Sequence, residues 1–131
     1  MAFVHGSNSA ISVDGTALTA YVDSVTHDRT METAETTAFS NDDKTFIAGL
    51  YDGSFSLTGH WDSTADSTLH GTFDGATISI IYGPAGSTTG LVRYTATCLV
   101  TSYNITSQVG DRVNWSASFQ RTGALTRDVY P

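Results

Sequence analysis

The chain has 131 residues and a mass of 13.9 kDa, enough for one domain around a single core and too little for two independently stable ones. Charged residues make up only 15%, Ser and Thr fill 36 positions, and six basic against thirteen acidic side chains leave a net charge of −7. That balance excludes affinity for nucleic acid through clustered Lys and Arg.

The acidity is almost all aspartate, eleven Asp to two Glu, and the one lysine is Lys44. Polar helix formers are therefore scarce, while Thr, Val, Ile and the aromatics suit a pleated surface and Ser, Asp and Gly favour turns. The composition predicts a mostly β protein. Cys98 is the single cysteine and can make no internal disulfide, and no Cys/His set has metal-ligand spacing. The opening residues Met1–Gly6 lack a basic region followed by an apolar run, and no stretch nears the roughly 18 apolar residues of a membrane span. A cytoplasmic place of synthesis and no membrane partner are expected.

Residues 1–9 are small and polar and are expected to form an arm. Ala10–Val13 then meets Asp14-Gly15, a strong hairpin signal, before Ala17-Leu18 and an extended segment from Ala20 to Glu32. Glu32–Lys44 (ETAETTAFSNDDK) has only Ala34, Ala38 and Phe39 as apolar members and follows neither a helical nor a strand period. A loop of about this length is uncommon in a compact domain and is usually functional, so function is expected here first. Thr45–Leu50 leads to a turn expected at Tyr51-Asp52-Gly53, and Ser54–Trp61 alternates strictly, with Phe55, Leu57 and Trp61 on the core face.

Ser63 and Asp66 have the spacing of a capping box, and Ala65, Leu69 and Phe73 share one helical face, which predicts a single short helix over 63–73. Thr77–Tyr82 is a strand, ended by Gly83-Pro84-Ala85-Gly86. In Leu91–Ile105 the even positions Val92, Tyr94, Ala96, Cys98, Val100 and Ser102 are the better core face. Val113–Arg121 alternates without a slip, and 122–131 is expected to be a tail. The sum is an antiparallel β-sandwich or barrel of about seven strands with one helix.

Chemistry finds little purchase. His5, His27, His60 and His70 lie far apart without HxH or HExxH spacing, no G-x-S-x-G elbow occurs, and Asp42-Asp43 does not fit a calcium loop. Trp61 and Trp115 could form a stacking platform, but both sit on the apolar parity of alternating strands and are expected in the core. No enzymatic activity and no cofactor are expected. An enzyme or sugar-binding reading would need a concave site uniting some of His27, His60, Trp61 and Asp62.

The ordered pattern Val4–Ser9 (VHGSNS), Val13-Asp14-Gly15, Leu18–Val25 (LTAYVDSV), Glu32–Phe39 (ETAETTAF), Lys44–Gly53 (KTFIAGLYDG) and Trp115–Gly123 (WSASFQRTG) resembles the tail tube, or major tail, proteins of long-tailed bacteriophages. Each motif is weak alone; their order spans nearly the whole chain. Ser40 departs from the pattern, standing where the family carries glycine. The resemblance implies a single tail-tube-like domain that assembles into stacked, hexameric rings around a lumen through which DNA passes without specific binding. It implies a virion location in the phage tail, assembly in the host cytoplasm, and other phage tail proteins as further partners.

Inter-subunit contacts are then expected from Glu32, Glu35, Thr37, Phe39, Asp42, Asp43 and Lys44 in the 32–44 loop and from Phe3, Val4 and His5 in the arm. Six copies of a −7 chain carry −42, a charge that repels phosphates within a Debye length of about 8–10 Å. A capsid decoration or head-tail accessory protein is the alternative.

Overall fold

The structure, a computed structural model, describes residues 4–40 and 42–131; Phe3, expected to act in the arm, lies outside them. Its elements are β1 (Ala10–Val13), β2 (Thr16–Ala17), β3 (Val22–Glu35), β4 (Phe46–His60), α1 (Ser63–Thr72), β5 (Ile78–Gly83), β6 (Val92–Thr106), β7 (Asn114–Arg121) and β8 (Thr126–Val129). A single 3-10 turn, Gly6–Asn8, precedes them. All strands join one antiparallel sheet in the order β2-β1-β5-β6-β7-β4-β3, with β8 paired to β6. The all-β class with one helix is as expected, with eight strands in place of about seven.

The sheet curls around its apolar face. β1 stands second from one end of the pairing path and β3 at the other end, yet Ile11 of one and Val22 and Val25 of the other line the same cleft of about 570 Å³. Inside the roll, Phe55, Leu57, Ile80, Cys98, Phe119 and Trp115 meet Val13 and Leu18 from the first hairpin. Asp14 and Gly15 turn that hairpin with φ of 51° and 81°, the two left-handed positions of a primed turn. At Gly59 an added Cβ would lie 1.9 Å from the Tyr21 carbonyl oxygen, so only glycine lets the chain entering β3 cross β4 there.

Four local expectations change. No turn forms at Tyr51-Asp52-Gly53, because Tyr51, Asp52 and Gly53 pair with Met31, Thr30 and Arg29 and β4 runs straight through. The segment expected as a tail carries β8, stitched to β6 by Arg93 and Asp128, whose two hydrogen bonds measure 2.7 and 3.3 Å. The helix is capped by Asp62, which accepts from the Thr64 N–H, and not by Ser63. It ends at Thr72, whose hydroxyl donates to the Leu69 carbonyl inside the core, so Phe73 falls past the helix end and is 55% exposed.

Two aromatic placements follow from strand geometry. Trp61 lies one residue past the end of β4 and is 38% exposed, whereas Trp115 is in the core as expected. In β6 an irregularity between Val100 and Ser102 shifts the register. The alternation reverses there, and Tyr103 of the odd set packs on the core.

Candidate assembly interface

Beyond Arg29 and Gly53 the strands β3 and β4 leave the rest of the sheet as a two-stranded ribbon. β7 pairs with β4 only over Ser54–His60, and every described residue from Asp28 to Asp52 is exposed. Pairing runs out to Glu35 opposite Phe46. The turn beyond is closed by the Thr36 N–H on the Thr45 carbonyl, 2.7 Å, and by the Thr45 N–H on the Thr37 hydroxyl, 2.9 Å. The segment expected as a loop is thus half strand. Glu32 and Glu35 stand on β3, while Thr37, Phe39, Asp42, Asp43 and Lys44 occupy the tip.

This ribbon is apolar on both faces. The pairs Glu35–Phe46 and Met31–Tyr51 put Phe46 and Tyr51 on one side, and Ala34–Ile47 puts Ile47 on the other, with Leu50 at the register shift between them. Leu50 is 76% and Tyr51 74% exposed and Phe39 at the tip fully so. Two strands alone are marginally stable in water, and contiguous exposed apolar surface marks an interaction site. Within one copy neither face of the ribbon is covered. The sequence reading missed Phe46, Ile47, Leu50 and Tyr51 as interface residues; the available signal was large apolar side chains on both parities, which a half-buried strand does not show.

Arm and tip do not come together in one chain. Val4 and His5 are exposed, His5 accepts from the Ser7 N–H, and the Ser9 hydroxyl donates to the Pro84 carbonyl. Gly6 and Ser7 line the cleft at the Val22 end of β3, and the tip lies past Glu35, fourteen residues along, or roughly 45 Å. Val4 and His5 thus sit at the far end of β3 from the tip.

The outer face of the sheet is a second surface. Thr26, Ser56, Ser118 and Ser102 form one row across four strands, and Ser24, Thr58, Ser116 and Asn104 form the next. The next row of that face carries Asp28 opposite Ser54, while Asp14, Asp42, Asp43, Asp74 and Asp111 lie in turns and connections and Asp23 is paired with Arg112 at 2.8 Å.

The remaining candidate chemistry does not converge. His27 pairs opposite Phe55, whereas His60 ends β4 and Trp61 and Asp62 follow it. The Asp66 carboxylate, beside them, accepts from Tyr103 Oη at 2.8 Å and from the Trp61 indole. Burial first, and then that carboxylate, push the Tyr103 hydroxyl well above its ordinary value. Burial likewise pushes the Cys98 thiol up to about 11, which keeps it protonated and unreactive at neutral pH. Among the described residues no group of three or more His, Cys, Asp or Glu could hold a metal ion, and no helix is long and apolar enough to cross a membrane.

His27 gives the fold a pH response. Its ring stacks on Phe55 with centroids 4.3 Å apart, and its Nε2 is buried without a partner. Burial, and then the nearby Arg29 and Arg121, lower its pKa below 6.5, against a smaller opposing pull from Asp28. Native protein therefore binds this proton less readily than unfolded chain, and stability falls as pH drops through about 6.5. His27→Phe keeps the stack and removes the titration, so its melting temperature should drop less than wild type's between pH 7.5 and pH 5. Equal drops would contradict the assignment.

The whole architecture matches tail structures. One chain from the tail of an empty gene transfer agent particle, a tail of C6 symmetry, superposes with a TM-score of 0.82 at 16% identity, covering 97% of this chain and 100% of that one. The SPP1 tail tube gives 0.79 at 12% identity over 97% of this chain and 80% of that one. A chain of the sheath-tube complex of the extracellular contractile injection system PVC gives 0.73 at 13% identity, over 97% and 92%. No family sequence model and no curated protein sequence matches the chain. The fold is therefore that of tail-tube proteins, as the resemblance implied.

Proposed function

We propose that this protein is a structural virion subunit that assembles into stacked rings, hexameric as in the C6 tail it resembles, and forms the hollow tube of a phage tail through which DNA is delivered. The observation that carries this reading is the β3–β4 ribbon, apolar on both faces and uncovered in one copy. The fold likeness to tail structures supports the same role. The hydroxyl-rich outer face suits a wet wall that phosphates slide past without sticking. The reading includes no catalysis and no cofactor, other tail proteins as partners at the tube ends, and assembly in the host cytoplasm. Negative-stain microscopy of purified protein should show rings or open-ended tubes. Globular monomers alone, at every concentration and salt, would overturn the proposal.

A further inference from the structure

Basic side chains are few, and their partners differ. Arg93 is held by Asp128 and Arg112 by Asp23, whereas among the described residues Arg29 and Arg121 meet no carboxylate. Both lie where the core reaches the mouth of the roll. The inward row of β3 runs Val25, His27, Arg29, and that of β7 runs Ala117, Phe119, Arg121. Gly53 lies against both neighbours: an added Cβ there would lie 2.7 Å from the Asp28 carbonyl oxygen and 3.3 Å from the Arg121 guanidinium carbon. Arg29 stands 5.7 Å from the centre of the Tyr94 ring. The two arginines line a cleft of about 540 Å³ with Tyr51 and Leu125, and no acidic residue lines it.

We propose that this cleft is the receptor for the hairpin tip of a second copy of this chain, with Arg29 and Arg121 holding the tip's carboxylates and Tyr51 and Leu125 seating Phe39. The inference rests on the tube reading above and names which surface the ribbon engages. Charge complementarity selects the occupant. In residues 32–44, Glu32, Glu35, Asp42 and Asp43 against Lys44 leave −3, and Phe39 is exposed among them. A guanidinium matches a carboxylate with two parallel hydrogen bonds. The tip cannot satisfy its own cleft, since the ribbon between Arg29 and Glu35 holds them roughly 20 Å apart. A site at the base of a ribbon that receives the tip of another is a heterologous contact, which propagates from copy to copy and does not close as a two-fold dimer.

Three variants test this by sedimentation and negative stain. Arg29→Glu with Arg121→Glu, or Asp42→Arg with Asp43→Arg, should each raise the concentration needed for assembly more than about tenfold. The chain carrying all four changes should recover it. The tip residues are exposed, so their reversal leaves folding intact, as circular dichroism should verify. Assembly unchanged by the tip reversal, or a folded four-fold variant that fails to recover, overturns the proposal. So does a short DNA duplex that binds wild type and not the Arg29→Glu/Arg121→Glu protein while tubes persist, which would assign the arginines to phosphate. Failure of wild type to form tubes at all counts against the tube reading and not against this contact alone.

Discussion

Replacing residues 32–50 with a two-residue Asn-Gly turn, joining Met31 to Tyr51 where they pair, should leave a folded monomer that forms neither rings nor tubes. The deleted segment contributes no buried side chain: every described residue in it is exposed, and the core cluster contains none of them. Folding therefore loses little, because burial of apolar area is its main driving term. Assembly loses Phe39, Phe46, Ile47 and Leu50, which have no other route out of water. Size-exclusion chromatography should give a single monomeric peak with wild-type far-ultraviolet dichroism at concentrations where the full chain polymerises. Tubes from the truncated chain would remove the ribbon from the assembly mechanism.

Trp115→Ala should have the opposite signature, loss of fold and not of contact. The indole is 2% exposed, donates to the His60 carbonyl at 2.9 Å, and meets the Tyr103 ring edge-on with centroids 6.2 Å apart. Its partner on β4 is Gly59. Truncation opens a large cavity and leaves the carbonyl without its donor, so a destabilisation of about 3–5 kcal/mol is expected, much of the roughly 5–15 kcal/mol that holds a domain folded. Trp61→Ala should cost about 1 kcal/mol. Urea unfolding in the truncated, monomeric background separates both from assembly, and equal losses at the two tryptophans would contradict the assigned core.

How much of this was legible in the residues depends on what each pattern reports. Strict alternation in Ser54–Leu57 and Trp115–Phe119 reports a surface buried on one side, and those core residues were read correctly. The Asp14-Gly15 turn was equally plain, because its backbone demands those residues. The ribbon was not. Its residues contribute nothing to the core of their own chain, so Glu32–Lys44 shows no internal period and Thr45–Leu50 reads only as a run leading to a turn at Tyr51-Asp52-Gly53. Gly53 looked like a turn glycine, whereas it sits in mid-strand with the Asp28 carbonyl too close for a side chain. The reversed parity at Tyr103 depends on a register shift, and β8 on a long-range pairing with β6, neither of which local sequence encodes.

The central claim is that the β3–β4 ribbon joins one copy to the next. The most direct measurement is a cryo-electron microscopy reconstruction of tubes assembled from the pure protein. The ribbon should be buried against neighbouring copies on both faces, with Ile47 and Tyr51 covered from opposite sides and the tip lying in the Arg29–Arg121 cleft. A tube in which the ribbons project into solvent would contradict the account.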